Sequence, residues 1–135
     1  MTYILSQKSL DRLAVVDPRL VAVVKRAIQI TTQDFMVLEG YRSQERQDEL
    51  YAQGRTKPGP VVTWVKVGTH TSGTAVDLVP YPVDWNDLSK FDAISKAMFD
   101  AAKELGVKIR WGANWNQNGT PRERGESDSP HFELA

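Results

Sequence analysis

The chain has 135 residues, with 17 Lys plus Arg against 17 Asp plus Glu, 41% hydrophobic residues and no cysteine. Its length supports one hydrophobic core, its composition is that of a folded globular chain, and its balanced charge gives no positive field to hold a polyanion, which argues against nucleic acid as a partner. The absence of cysteine excludes disulfides, iron–sulfur clusters and thiolate zinc sites, so any metal must rest on His, Asp and Glu.

The opening stretch MTYILSQKSLDRLAVVDPRL has no basic region followed by an apolar run, and no segment has the roughly 18 apolar residues of a membrane span. The expectation is a protein made and kept in the cytoplasm, without membrane insertion. No repeat, low-complexity tract or linker divides residues 1–135, so a single domain is expected.

Asp17-Pro18 offers an N-cap followed by proline at the first helical position, and Leu20, Val23, Val24, Ala27 and Ile28 recur at helical spacing, which predicts a helix over 18–30. DFMVLEG, 34–40, reads as a short strand leading into YRS. Ser43 caps a second predicted helix that ends near Gln53 with Gly54 beyond it. Residues 55–69 show no sustained period and are expected to form a loop beside the site. TAVDLVPY, 74–81, alternates Ala75, Asp77 and Val79 with Val76 and Leu78, giving a strand with one acid among apolar residues. Phe91, Ile94, Met98, Ala101 and Leu105 mark a helix closed by Gly106, after which VKIRW returns as a strand. Residues 112–130 are polar and turn-rich, and HFEL is a last short strand. The order implies an α+β fold, with helices packed on a small antiparallel or mixed sheet.

The two histidines, His70 and His131, each stand beside turn residues at the edge of a predicted strand. Ser72-Gly73 permits a turn that folds His70 back over the strand bearing Asp77, and Glu133 lies two residues beyond His131 on the same face. Two imidazoles and one carboxylate form the ligand set of a catalytic zinc with an open fourth position, and equally that of a non-heme iron oxygenase. Spacing alone does not choose between them.

GTHTSGTAVDL and SDSPHFEL resemble the S-x-H-x-x-G-x-A-x-D and D/E-x-x-H-x-E signatures of the zinc D,D-carboxypeptidase/L-alanyl-D-glutamate endopeptidase family, the VanY-like peptidases that cleave peptidoglycan stem peptides. The likeness extends to DFMVLEGYRSQERQDELYAQG and to WNDLSKFDAISKAMFDAAKELGVKIRWGANW, and it is strongest toward small phage endolysins of the endopeptidase type. It implies a Hedgehog/D-Ala-D-Ala peptidase-like fold and a zinc ion on His70, Asp77 and His131, with Asp128 as general base and Arg42 facing the substrate. Gly68 stands where the family usually has serine, and the base is aspartate where many carboxypeptidases have glutamate.

Zinc suits amide hydrolysis because it lowers the pKa of bound water to about 7 and polarises the carbonyl. Glu133 is then either a carboxylate for the second N–H of a ligand imidazole or an exposed C-terminal acid. Trp111 is assigned to packing, while Trp64 and Trp115 are candidates to line a substrate groove, Trp115 being retained as the substrate contact. The run from Asn114 mimics the opening of a calcium loop but has amides in place of the acids, so an Asn-Gly turn is the better reading. The resemblance implies a monomeric phage lysis enzyme without a separate wall-binding domain, held in the host cytoplasm until a holin releases it to the wall. Its alternative is a D-alanyl-D-alanine carboxypeptidase or dipeptidase with the same metal site. Outside that class stand an iron(II) oxygenase and a non-catalytic wall-binding module, the latter opposed by the retained ligands and base.

Overall fold

A computed structural model describes residues 3–40, 52–53, 73–112 and 129–135. Among these, three helices and four strands follow in the order α1 (Gln7–Leu13), α2 (Pro18–Ile30), β1 (Phe35–Glu39), β2 (Ala75–Pro80), α3 (Leu88–Leu105), β3 (Ile109–Trp111) and β4 (His131–Leu134). The strands form one antiparallel sheet in the order β1-β2-β4-β3, so the expected α+β class holds and every pairing in this sheet is antiparallel.

The helix ends follow the local chemistry read from the sequence. The Asp17 carboxylate accepts from the Arg19 backbone N–H at the start of α2, and Asp87 does the same for Ser89 at the start of α3. Gly106 ends α3 in the left-handed region at φ 71°, and the Val107 N–H returns to the Ala102 carbonyl at 2.9 Å. The predicted helix around 43–53 and loop 55–69 lie outside the described residues, apart from Ala52 and Gln53 at the end of that helix.

Helix α1 is an element that the sequence reading does not anticipate. Ser6 caps it, and its buried Ser9 hydroxyl accepts the Val37 N–H at 3.1 Å while Arg12 Nη1 donates to the Val37 carbonyl at 2.8 Å. Because β1 stands at the edge of the sheet among the described residues, these two bonds occupy backbone groups that would otherwise point away from it. The close approach requires glycine at Gly40, where a Cβ would stand 2.2 Å from the Arg12 carbonyl oxygen.

Strand alternation gives the sheet two different faces. Val37, Val76, Leu78, Phe132, Ile109 and Trp111 point to one side, where Leu20, Val23 and Val24 of α2 and Ile94, Met98 and Ala101 of α3 complete a single core. Trp111 packs there as expected: it is buried, stacked on Phe132 with ring centroids 6.2 Å apart, and donates its indole N–H to the Ser129 carbonyl at 2.6 Å. No helix among the described residues is long and apolar enough to cross a membrane.

Candidate functional site

The opposite face of the sheet carries charged and polar side chains. Pairing across the strands sets Arg110 of β3 opposite Glu133 of β4, His131 of β4 opposite Asp77 of β2, and Glu39 of β1 opposite Asp77 beyond a bulge. Charged and polar residues are therefore registered across the sheet from one edge strand to the other. Residues 54 apart in the chain meet because β2 and β4 are neighbours, a pairing that brings two of the expected ligands together.

His131 is buried, and its two ring nitrogens have different partners. Nδ1 stands 3.2 Å from Asp77 Oδ1, and Nε2 stands 2.8 Å from Glu133 Oε1. The second oxygen of Glu133 takes a hydrogen bond from Arg110 Nη2 at 2.5 Å. Burial pushes the Glu133 carboxyl up, but hydrogen bonds from His131 and Arg110, reinforced by their charge, outweigh it and hold the group below its ordinary value.

An ionised Glu133 only accepts, so His131 Nε2 must be the donor in that bond. In the neutral ring Nδ1 then presents a lone pair toward the Asp77 carboxylate. Two acceptors at 3.2 Å repel unless a proton or a metal ion lies with them. Zinc fits this pair: two donors on a tetrahedral ion, each about 2.0–2.1 Å from it, are about 3.3 Å from one another. The donor types, one imidazole and one carboxylate, also match what that ion takes.

Among the described residues no cluster of three or more His, Cys, Asp and Glu forms a complete metal cage. The third expected ligand, His70, lies outside the described residues, as do Arg42, Asp128, Trp64, Trp115 and the 114–126 loop. Gly73, which follows His70 in the expected turn, has φ 75° and accepts the Asp17 N–H at 2.8 Å. Sequence reasoning passed over Arg110 and Glu39. The signal for Arg110 was the alternation in IRW: with Ile109 and Trp111 in the core, the arginine between them must face the other way.

Comparison with known proteins places the chain in a family context. A family model described as phage L-alanyl-D-glutamate peptidase matches residues 1–135. The chain is 35% identical over 140 aligned positions to the L-alanyl-D-glutamate peptidase of Escherichia phage T5, covering 99% of each protein. It is 34% identical over 113 positions to the peptidoglycan L-alanyl-D-glutamate endopeptidase CwlK of Bacillus subtilis (strain 168), covering 75% of this chain and 60% of that protein. The fold is similar to the crystal structure of the Serratia marcescens L-Ala D-Glu endopeptidase ChiX, with a TM-score of 0.78, 31% identity, and coverage of 98% of this chain and 90% of that one.

Proposed function

The chain belongs to the phage L-alanyl-D-glutamate peptidase family, and on that premise we propose that it hydrolyses the amide between L-alanine and D-glutamate in peptidoglycan stem peptides, as a zinc-dependent endolysin. The observation that carries this reading is the 35% identity to the phage T5 peptidase across 99% of both chains. The protein acts as a monomer, gathers in the host cytoplasm and reaches the wall when a holin opens the membrane.

Asp77 and His131, together with His70, are the residues that would hold the zinc. When bound, the ion supplies Lewis-acid polarisation of the scissile carbonyl and a water made acidic near neutral pH. The chain's own groups do the rest. Glu133 accepts the Nε2 proton of His131 and so keeps Nδ1 turned toward Asp77. Asp128 takes a proton from the attacking water and delivers it to the leaving amine nitrogen, a task for a carboxylate within hydrogen-bond reach. Arg42 brings a permanent positive charge to the developing charge on the carbonyl oxygen or to a substrate carboxylate. Trp115 contributes an apolar contact to the stem peptide.

Digestion of purified peptidoglycan, with the new termini identified by mass spectrometry, tests the proposal. New N-terminal D-glutamate is the expected product, lost on chelation with EDTA and restored by zinc. Released D-alanine would assign the carboxypeptidase reaction instead, and no release in the presence of zinc would overturn the peptidase reading.

A further inference from the structure

We infer that Arg110 is a positioning residue of the metal site: by holding one oxygen of Glu133 it sets the carboxylate so that the other oxygen fixes the His131 ring with Nδ1 toward Asp77. The inference rests on the zinc reading above and extends it to a residue outside the expected ligand set.

The geometry is that of a carboxylate used from both ends. Glu133 has a side chain only 7% exposed, with Oε1 on the His131 imidazole at 2.8 Å and Oε2 on the Arg110 guanidinium at 2.5 Å. A carboxylate with one partner can still turn about its own side-chain bonds. A second, charged donor on the other oxygen removes that freedom, and an ionic hydrogen bond of this kind is among the stronger ones available.

Arg110 is itself held in place by the core. It stands directly opposite Glu133 in the register, between Ile109 and Trp111, whose side chains are buried on the far face of the sheet. The Trp111 indole donates to the Ser129 carbonyl, and the Gly112 N–H donates to the His131 carbonyl at 2.8 Å. Strand β3 is thus fastened to the start of β4 just after Arg110, and the Ala135 N–H donating to the Lys108 carbonyl at 3.0 Å ties it just before. A path of contacts runs from the packed core through Arg110 and Glu133 to Nε2 of the His131 ring, whose other nitrogen faces Asp77.

The test measures metal affinity of the full chain by competition with a chromogenic chelator, using zinc and cobalt(II). The cobalt absorption spectrum reports ligand geometry, and thermal melts in EDTA monitor the fold. Removing a group that orients a metal ligand typically weakens binding about 10–100-fold, the effect expected for Glu133→Gln. Acting one contact further out, Arg110→Ala should weaken binding about 3–10-fold and shift the cobalt spectrum, with Arg110→Lys restoring most of both. In the Glu133→Gln background Arg110→Ala should change affinity less than about twofold, because its route to the site is already cut.

Equal loss in both backgrounds would show that Arg110 acts by another route and overturn the inference, as would wild-type affinity and spectrum in Arg110→Ala. Either result leaves the zinc reading standing. A wild-type chain that takes up neither zinc nor cobalt overturns both.

Discussion

On the face of the sheet turned toward α2 and α3, Val37, Val76, Leu78 and Phe132 are fully buried, and each contributes little beyond volume and apolar surface. On the opposite face the same strands carry Arg110, Glu133, His131 and Asp77, where each side chain is defined by which atom it offers to which neighbour. The first face stabilises the fold by removing apolar area from water, and it tolerates exchanges that conserve volume. The second buries polar groups, which cost free energy unless each finds a partner, so its residues are constrained by chemistry. Changes on the first face should therefore be read in stability, and changes on the second in metal binding and catalysis.

The largest stability effect should come from Phe132→Ala, which empties the centre of the core beside Trp111 and should cost about 3–5 kcal/mol in chemical denaturation. A volume-conserving change there should cost less than about 1.5 kcal/mol. His131→Ala, one residue away on the other face, should abolish stoichiometric zinc and peptidase activity. It should lower the stability of the metal-free chain by only about 1–3 kcal/mol, because Glu133 stays buried with one fewer donor. If the two substitutions destabilised equally, the contrast between the faces would fail.

Asp87→Ala sharpens the comparison from the core side. Loss of the α3 N-cap should cost about 1 kcal/mol of stability while metal affinity stays unchanged, as titration calorimetry can show. The smallest effect should come from Asp84. Its carboxyl is held below the ordinary carboxylate value by the Asn86 N–H, the Lys90 ammonium and the Asp87 N–H. A group with its folded pKa depressed contributes stability above its unfolded pKa and loses it as the pH falls through the folded value. Asp84→Asn should therefore lower stability slightly at neutral pH, where the contribution is fully present, and flatten its fall below about pH 4, seen in denaturation midpoints.

Much of the scaffold was legible in the sequence because its determinants are local. Asp17-Pro18 and the stripe from Leu20 to Ile28 predict α2, Gly106 marks the end of α3, and alternation places Asp77 on the face opposite Val76 and Leu78. Helix α1 escaped because seven residues hold too short a stripe to register; its distinctive contacts, Ser9 and Arg12 on Val37, lie 25 or more positions away in the chain. The same limit governs the site. That Glu133 shares a face with His131 follows from period two, but its bond to Arg110 depends on the register of β3 against β4, which no local pattern specifies.

The central claim is that the Arg110–Glu133–His131–Asp77 row is built to hold a metal ion on the face of the sheet away from the core. Anomalous diffraction at the zinc edge from crystals of the zinc-loaded protein tests it most directly. The account predicts a peak bonded to His131 Nδ1 and to an Asp77 carboxylate oxygen, with His131 Nε2 still on Glu133. Zinc bound through Nε2, or a peak away from this pair, would contradict it.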